Sequence, residues 1–146
     1  MYVQSILAAK GADVATITPD ASVREAVALL NERRVGALVV STDGHRIDGI
    51  LSERDVVRSL GGAQAATALD RSVADLMTRQ VTTCGPKDTI EQLMWLMTDR
   101  RIRHLPVADD AGELAGIVSI GDVVKHRLGQ LESENQALYE YITKGR

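Results

Sequence analysis

The sequence contains little cysteine, no excess of basic charge and no long apolar run. Its single cysteine, Cys84, has no partner for an intramolecular disulfide, and the three histidines show no metal-ligand spacing with it. A formal net charge of −3 argues against binding nucleic acid or an anionic membrane through a broad positive face, although a local basic pocket is compatible with it. No stretch approaches the roughly 20 apolar residues of a membrane span, and the first residues form no basic leader. We therefore expect a cytoplasmic protein without a bound metal.

An internal repeat is the main feature that the sequence does contain. Residues 49–57 read GILSERDVV and residues 116–124 read GIVSIGDVV, which is an offset of 67 residues. The same offset aligns the two halves without a gap from about residue 13 to residue 127. A unit of such a repeat often cannot cover its own apolar face, so we expect the halves to pack together. The predicted division is a first unit with its N-terminal lead-in, a second unit and a C-terminal helical extension, at residues 1–67, 68–127 and 128–146.

Each half shows the same order of predicted elements. Capping-box signals at Ser22 and Thr89 each introduce apolar residues at helical spacing. Two strand-like runs joined by an Asp-Gly or Asp-Ala-Gly turn follow, and a second helix is expected to begin on Asp55 or Asp122. The sequence thus predicts an α/β (α+β) fold in which each half is a small β-sheet with flanking helices.

The repeated phrase supplies two hydroxyl and carboxylate pairs, Ser52 with Asp55 and Ser119 with Asp122. A serine at the end of a strand and an aspartate three residues later place both groups on one rim, where the carboxylate can accept from both hydroxyls of a ribose. Charge-assisted hydrogen bonds of this kind contribute roughly 1.5–3 kcal/mol each. The alternative is that both aspartates only cap their helices. The presence of two copies favours ligand contact, and the two roles can coexist.

These phrases, the helix–strand–strand–helix units and the lead-in segments resemble tandem cystathionine-beta-synthase (CBS) domains, a pair of which forms a Bateman module. The resemblance covers nearly the whole chain. It implies two clefts related by pseudo-twofold symmetry between the repeats, which bind adenine nucleotides or related adenosine ligands. The implied function is a stand-alone energy or redox sensor that binds AMP, ADP or ATP, or NAD(H), and transmits a conformational change to a separate, unidentified protein.

The resemblance also implies which residues line each cleft. At the 67-residue offset, Arg103 and His104 stand where the first half has Gly36 and Ala37. We therefore expect the Ser119–Asp122 cleft to be the better anion site, with Arg103 and His104 near the phosphate, and the Ser52–Asp55 cleft to depend on Arg54. The alternatives are a solvated strand-edge cation at Arg103 and a packed neutral imidazole at His104. The remaining expected lining is Thr16, Ala37 and Leu38 for the Ser119–Asp122 cleft, and Thr83, Leu105 and Pro106 for the Ser52–Asp55 cleft.

Two other functional classes are alternatives to a sensor. An enzyme would need a nucleophile with a base, a carboxylate pair or a metal cluster, and the sequence offers none, nor a G-x-S-x-G elbow or a phosphate-cradling glycine loop. A structural homodimerisation module without ligand is the other class. A helical wheel places Trp95 and Leu96 away from the core, which favours a homodimer. A heptad-like seam in the C-terminal segment supports the same conclusion, and it consists of Leu128, Leu131, Asn135, Leu138 and Ile142.

Overall fold

The computed structural model describes residues 1–144 and contains five strands, six α-helices and one short 3-10 helix in that range. The first half carries a three-stranded sheet and the second half a two-stranded sheet, so the predicted α/β class is confirmed. In chain order the elements are α1 (Val3–Lys10), β1 (Thr16–Ile17), α2 (Val23–Arg33), β2 (Ala37–Val40), β3 (Gly49–Ser52), α3 (Glu53–Leu60), the 3-10 helix (Ala65–Asp70), α4 (Val73–Leu76), α5 (Ile90–Arg100), β4 (His104–Ala108), β5 (Leu114–Ser119) and α6 (Ile120–Lys144).

The two predicted capping boxes are present at the starts of α2 and α5. The Ser22 hydroxyl accepts from the backbone N–H of Glu25 at 3.1 Å, and the Thr89 hydroxyl accepts from that of Gln92 at the same distance. In each box the side chain of the third helical residue accepts a hydrogen bond from the backbone N–H of the cap residue. These paired bonds satisfy amides that a helix start leaves free, which is why both helices begin where the sequence predicts.

The predicted hairpins are present in both halves. Strands β2 and β3 pair antiparallel, as do β4 and β5, and β1 adds a parallel partner to β2. In the second half the position of β1 is taken by one isolated parallel bridge between Cys84 and Val107. Gly44 and Gly112 have φ of 84° and 80° at the two hairpin turns, a conformation that glycine adopts without steric cost.

The lead-in segments, residues 1–10 and 71–76, are exchanged between the halves. Val3 and Ile6 of α1 are fully buried in the core of the second half, and Val73 of α4 is fully buried in the core of the first half. Backbone hydrogen bonds hold each lead-in segment on the opposite half: the N–H of Val3 donates to Asp88 O, and that of Val73 donates to Ala21 O. The packing therefore crosses the predicted unit boundaries, because a short lead-in buries its apolar face only against the neighbouring core.

Helix α6 begins within the second repeated phrase and continues to Lys144. The predicted C-terminal extension is therefore the continuation of a helix of the second half. Residues 145–146 of that extension lie outside the described range. Every residue of α6 after residue 130 is exposed. Trp95 on α5 is 67% exposed, as the helical wheel predicts. The same prediction is wrong for Leu96, which packs against the second core. The apolar stripe of α5 is wide enough to include the edge position that Leu96 occupies.

Candidate functional site

A cavity of about 230 Å³ lies where β3 meets α3, and the second half forms its other wall. The first half contributes one end of the repeated phrase and the first turns of α3. The second half contributes the segment after α4 and the segment between α5 and β4. The lining residues are Ile50, Ser52, Glu53, Arg54, Asp55 and Arg58 on one side, and Thr78, Gln80, Val81, Thr82, Arg101, Ile102, Arg103 and His104 on the other.

The predicted hydroxyl and carboxylate pair lines this cavity. The Ser52 backbone N–H donates to Asp55 Oδ2 at 2.8 Å, and the Ser52 hydroxyl lies 3.2 Å from the same oxygen. Helix α3 begins at Glu53, so the prediction that it begins on Asp55 is wrong by two residues, and Asp55 caps it from its third position. An ionised carboxylate offers about four lone-pair sites, and both bonds use Oδ2. Capping and ligand contact are therefore compatible in Asp55.

Positive charge dominates the rim of the cavity, although the whole chain is acidic. Four arginines line it, against the two carboxylates Glu53 and Asp55. The Arg54 guanidinium also donates to Arg101 O at 3.3 Å, which ties α3 to the end of α5 across the two halves. Guanidinium groups form strong, often bidentate, bonds with phosphate and carboxylate oxygens. The arrangement can hold an anionic group beside a hydroxyl-bearing one.

His104 lies at a point where the two halves are in contact. A Cβ added at Gly36 would lie 2.6 Å from Glu53 Oε1 and 3.1 Å from His104 Cε1, so a larger residue there requires both side chains to move. Burial lowers the pKa of His104 below its usual value, although the nearby carboxylates of Glu53 and Asp122 act in the opposite direction. His104 is thus both a half-buried packing residue and a wall of the cavity.

Arg103 and His104 lie between the two repeated phrases. As expected from the sequence they lie beside Ser119, since His104 pairs with Ser119 across β4 and β5 and Arg103 O accepts from the Ile120 N–H. Both also line the Ser52–Asp55 cavity, where the sequence did not predict them. The start of β4 reaches the first half, because a Cβ added at Gly36 would lie 3.1 Å from His104 Cε1.

Six other predicted residues lie outside this cavity, three expected here and three expected in the Ser119–Asp122 cleft. Leu38 and Leu105 are fully buried in the two cores, and Ala37 and Pro106 are buried in β2 and β4. Thr83 is exposed, and Thr16 is partly buried on β1. Their neighbours Val81, Thr82 and Ile102 line the cavity instead.

The sequence reasoning also missed Arg58 and Arg101. Arg58 follows Arg54 by four residues, which places both on one face of α3. Arg101 ends α5 in a left-handed conformation with φ of 54°, a position that Arg34 shares at the end of α2. The helical spacing was a usable signal for Arg58, whereas the conformation of Arg101 was not visible in the sequence.

The second hydroxyl and carboxylate pair has different surroundings. The Ser119 N–H donates to Asp122 Oδ2 at 2.9 Å, and the Asp122 N–H donates back to the Ser119 hydroxyl at 3.1 Å. Helix α6 begins at Ile120, again two residues before the predicted start. The Lys10 ammonium donates to the same Oδ2 at 2.7 Å. Asp122 borders a shallow groove of about 660 Å³ between α1 and α6, which does not include Ser119, Arg103 or His104.

Two further chemical features bear on the site. Among residues 1–144, no cluster of three or more histidine, cysteine or acidic side chains is arranged to hold a metal ion. Over the same range, no helix is both long enough and apolar enough to cross a membrane.

Comparisons with known proteins agree on one family. The CBS domain family model matches residues 8–62 and 73–129. The crystal structure of the CBS-domain containing protein ATU1752 from Agrobacterium tumefaciens is 45% identical, with a TM-score of 0.82 over 87% of this chain and 99% of that one. The CBS domain protein PAE2072 from Pyrobaculum aerophilum, complexed with AMP, is 26% identical, with a TM-score of 0.74 over 84% of this chain and 89% of that one.

A curated relative extends the comparison beyond solved structures. The mitochondrial CBS domain-containing protein CBSX3 from Arabidopsis thaliana is 39% identical over 132 residues, which are 88% of this chain and 63% of that protein. The chain spans less than two thirds of the length of several curated relatives that it matches.

Proposed function

Because the chain belongs to the CBS domain family and carries two copies of the domain, we propose that it is a regulatory module that binds an adenine nucleotide in the Ser52–Asp55 cleft. One observation carries this proposal. A hydroxyl and carboxylate pair shares a cavity with four arginines, two from each half of the chain, and the cavity walls come from both halves. That combination fits a ligand with a ribose at one end and a phosphate at the other. The AMP complex of PAE2072 supports the same ligand class.

Each part of the nucleotide has a proposed partner in the cleft. The ribose hydroxyls donate to Asp55, whose second carboxylate oxygen has acceptor capacity beyond its cap bonds. The phosphate pairs with the guanidinium groups on the rim, Arg103 foremost. The adenine packs against the apolar side chains of Ile50, Val81 and Ile102. ADP, ATP and NAD(H) share the adenosine part and differ in how much charge they bring to the arginines.

The proposed output is a change in how the halves pack. The nucleotide contacts α3 of the first half and the start of β4 of the second, so it bridges the interface at which His104 meets Gly36. A ligand shifts a conformational equilibrium only by its differential affinity for the two states. The altered packing then acts on a separate protein. The cytoplasmic location expected from the sequence stays a prediction.

Calorimetry against AMP, ADP, ATP, NAD, NADH and S-adenosylmethionine tests the proposal. At a hundredfold excess of ligand over its Kd, the stability of the protein is expected to rise by about 2.7 kcal/mol. Asp55→Ala and Arg103→Ala are each expected to weaken AMP binding by about tenfold to a hundredfold, because each removes a charge-assisted bond of roughly 1.5–3 kcal/mol. Arg24→Ala is the matched control, since Arg24 pairs with Asp70 at an exposed site.

The outcome also separates the three functional classes. If none of the six ligands stabilises the protein at millimolar concentration, the nucleotide-binding proposal is wrong and a structural module is favoured. If chromatography of the incubated nucleotides shows products that disappear with Ser52→Ala or Ser119→Ala, the protein is an enzyme. Intact nucleotide is the expected result.

We further propose that the module is a homodimer. Trp95 is 67% exposed beside Met94 at 40%, and large exposed aromatic patches mark association surfaces. On α6, the side chains of Leu128, Leu138 and Ile142 are each more than half exposed. Asn135 lies between them in the same heptad-like seam, where a polar residue favours a pair of parallel helices.

Light scattering tests the dimer. A mass of about twice the 15.8 kDa of the chain is expected at micromolar concentration, and Trp95→Glu is expected to reduce it towards the monomer. Lys87→Glu, an exposed loop position, is the control for the charge change. A monomeric intact protein would contradict the dimer, and an undisturbed Trp95→Glu dimer would remove Trp95 from the interface.

A further inference from the structure

Lys10, the last residue of α1, forms an ion pair with Asp122, the carboxylate of the second repeated phrase. Lys10 Nζ donates to Asp122 Oδ2 at 2.7 Å and to the β5 carbonyl of Ile117 at 3.0 Å. We infer that Lys10 is an internal occupant that closes the Ser119–Asp122 cleft to nucleotides, so that each chain binds one nucleotide, in the Ser52–Asp55 cleft. This inference rests on the proposed function.

Lys10 is held in place by the helix that carries it. Val3 and Ile6 are fully buried in the second core, and the Leu7 side chain packs so closely on Gly116 that an added Cβ would lie 2.6 Å from Leu7 Cδ2. Gly11, with φ of 94°, ends the helix directly after Lys10. The ammonium therefore reaches Asp122 from a docked helix, and it does not have to be recruited from a mobile surface side chain.

The pair of charges is well matched to its surroundings. The side chains of Lys10 and Asp122 are 31% and 23% exposed, so both charges are partly withdrawn from water. Partial burial opposes the ionisation of Asp122, yet the hydrogen bonds from Lys10 and the Ser119 backbone outweigh it and lower the pKa of this carboxyl. A ribose hydroxyl competing for the same oxygen is neutral and a weaker donor than the ammonium. Binding there would also leave the Lys10 charge without its partner.

Among residues 1–144, the Ser52–Asp55 cleft has no cation at the position equivalent to Lys10, although arginines line its rim. Val3 and Val73 make equivalent backbone bonds in the two lead-in segments, which places Lys10 opposite Gln80, a residue that lines the Ser52–Asp55 cavity. The Gln80 side chain is a neutral amide and therefore a weaker donor to a carboxylate than the Lys10 ammonium. Asp55 consequently faces the cavity. One residue difference between the lead-in segments thus gives the two clefts different functions.

The number of AMP molecules bound per chain, measured by calorimetry, tests this inference. The intact protein is expected to bind one. Lys10→Met, which removes the cation and keeps a side chain of similar length, is expected to bind two, and Lys10→Arg, which keeps a cation, is expected to bind one. Lys125→Met is the matched control, because Lys125 borders the same groove and its loss removes the same charge. Adding Asp122→Ala to Lys10→Met is expected to restore one.

The possible results separate this inference from the proposed function. Two AMP molecules on the intact protein, or one on a folded Lys10→Met variant, would overturn the role of Lys10 while leaving nucleotide binding established. No AMP binding by any variant would overturn the proposed function and this inference together. If Lys10→Met is not folded by circular dichroism, Lys10→Gln, which keeps a polar side chain of similar length, decides by the same count.

Discussion

Replacing Gly116 with alanine tests the docking of α1 on the second half. A Cβ at this position would lie 2.6 Å from Leu7 Cδ2 and 3.1 Å from Leu7 Cδ1. Carbon atoms in contact normally lie about 3.5–4.0 Å apart, so the new methyl overlaps the leucine by about 1 Å. Overpacking of this kind typically costs about 1–3 kcal/mol. Leu7 is only partly buried and can shift, so we expect about 1–2 kcal/mol for Gly116→Ala.

Urea unfolding followed by far-ultraviolet circular dichroism measures this loss. With a slope near 2 kcal/mol/M, the midpoint is expected to fall by roughly 0.5–1 M. Gly129→Ala is the control, because nothing lies within 4 Å of its added Cβ and the residue is inside α6. Alanine is favoured over glycine in a helix by about 0.8–1.0 kcal/mol, so this variant is expected to be more stable than the intact protein.

A double-mutant cycle identifies Leu7 as the cause. Leu7→Ala removes the side chain that the new methyl meets, so the double variant is expected to lose less stability than the sum of the two single losses, by at least about 0.5 kcal/mol. If the two losses add, Leu7 does not pack on Gly116, and the docking of α1 on the second half is refuted. Failure of Gly116→Ala to destabilise the protein would refute it as well.

Three further results are expected from the buried and capping groups. Burial lowers the pKa of His104 in the folded protein, so the unfolded chain binds more protons below its usual value of 6.5, and stability is expected to fall as the pH drops through that value. His104→Gln should flatten this dependence between about pH 5.5 and 7.5, and an equal pH slope in both proteins would contradict the prediction. Burial raises the pKa of the Cys84 thiol to about 12, so a thiol reagent at neutral pH is expected to react only after unfolding, and rapid reaction of the folded protein would contradict that burial. Ser22→Ala removes the α2 cap and is expected to cost about 0.5–2 kcal/mol in urea unfolding, with an unchanged midpoint as the contradicting result.

Local signals in the sequence predicted the parts of the fold that local bonds hold. The Ser22 and Thr89 boxes depend on residues three positions apart, so the starts of α2 and α5 were predictable. The start of α3 was misplaced because an aspartate suits both the cap position and the third helical position. Sequence spacing cannot distinguish these until the backbone is known. Leu96 was misplaced because a helical wheel gives an angle but not the width of the buried stripe.

Long-range features of the candidate site could not be read from the sequence. The apolar face of α1 shows that the helix needs a partner, but not that the partner is the second half. The 67-residue offset identified the residues that correspond, such as His104 and Ala37, but not which of the two clefts each of them faces. That choice depends on how the halves meet, which contacts such as the bond from Arg54 to Arg101 O reveal. Ser52, Arg54 and Asp55 line one cavity, as the sequence predicts, and their role in ligand binding stays a prediction.

The exchange of lead-in segments constrains the order in which a growing chain can fold. The first core lacks Val73 until the chain has extended past residue 73, and α1, although made first, has no surface to dock on until β5 has been synthesised. Synthesis at about 5–20 residues per second leaves the apolar face of α1 exposed for several seconds at least. Contacts between residues so distant in the sequence also slow folding, because the connecting loop must close before they form. The helix that carries Lys10 therefore cannot dock before the second core has been made.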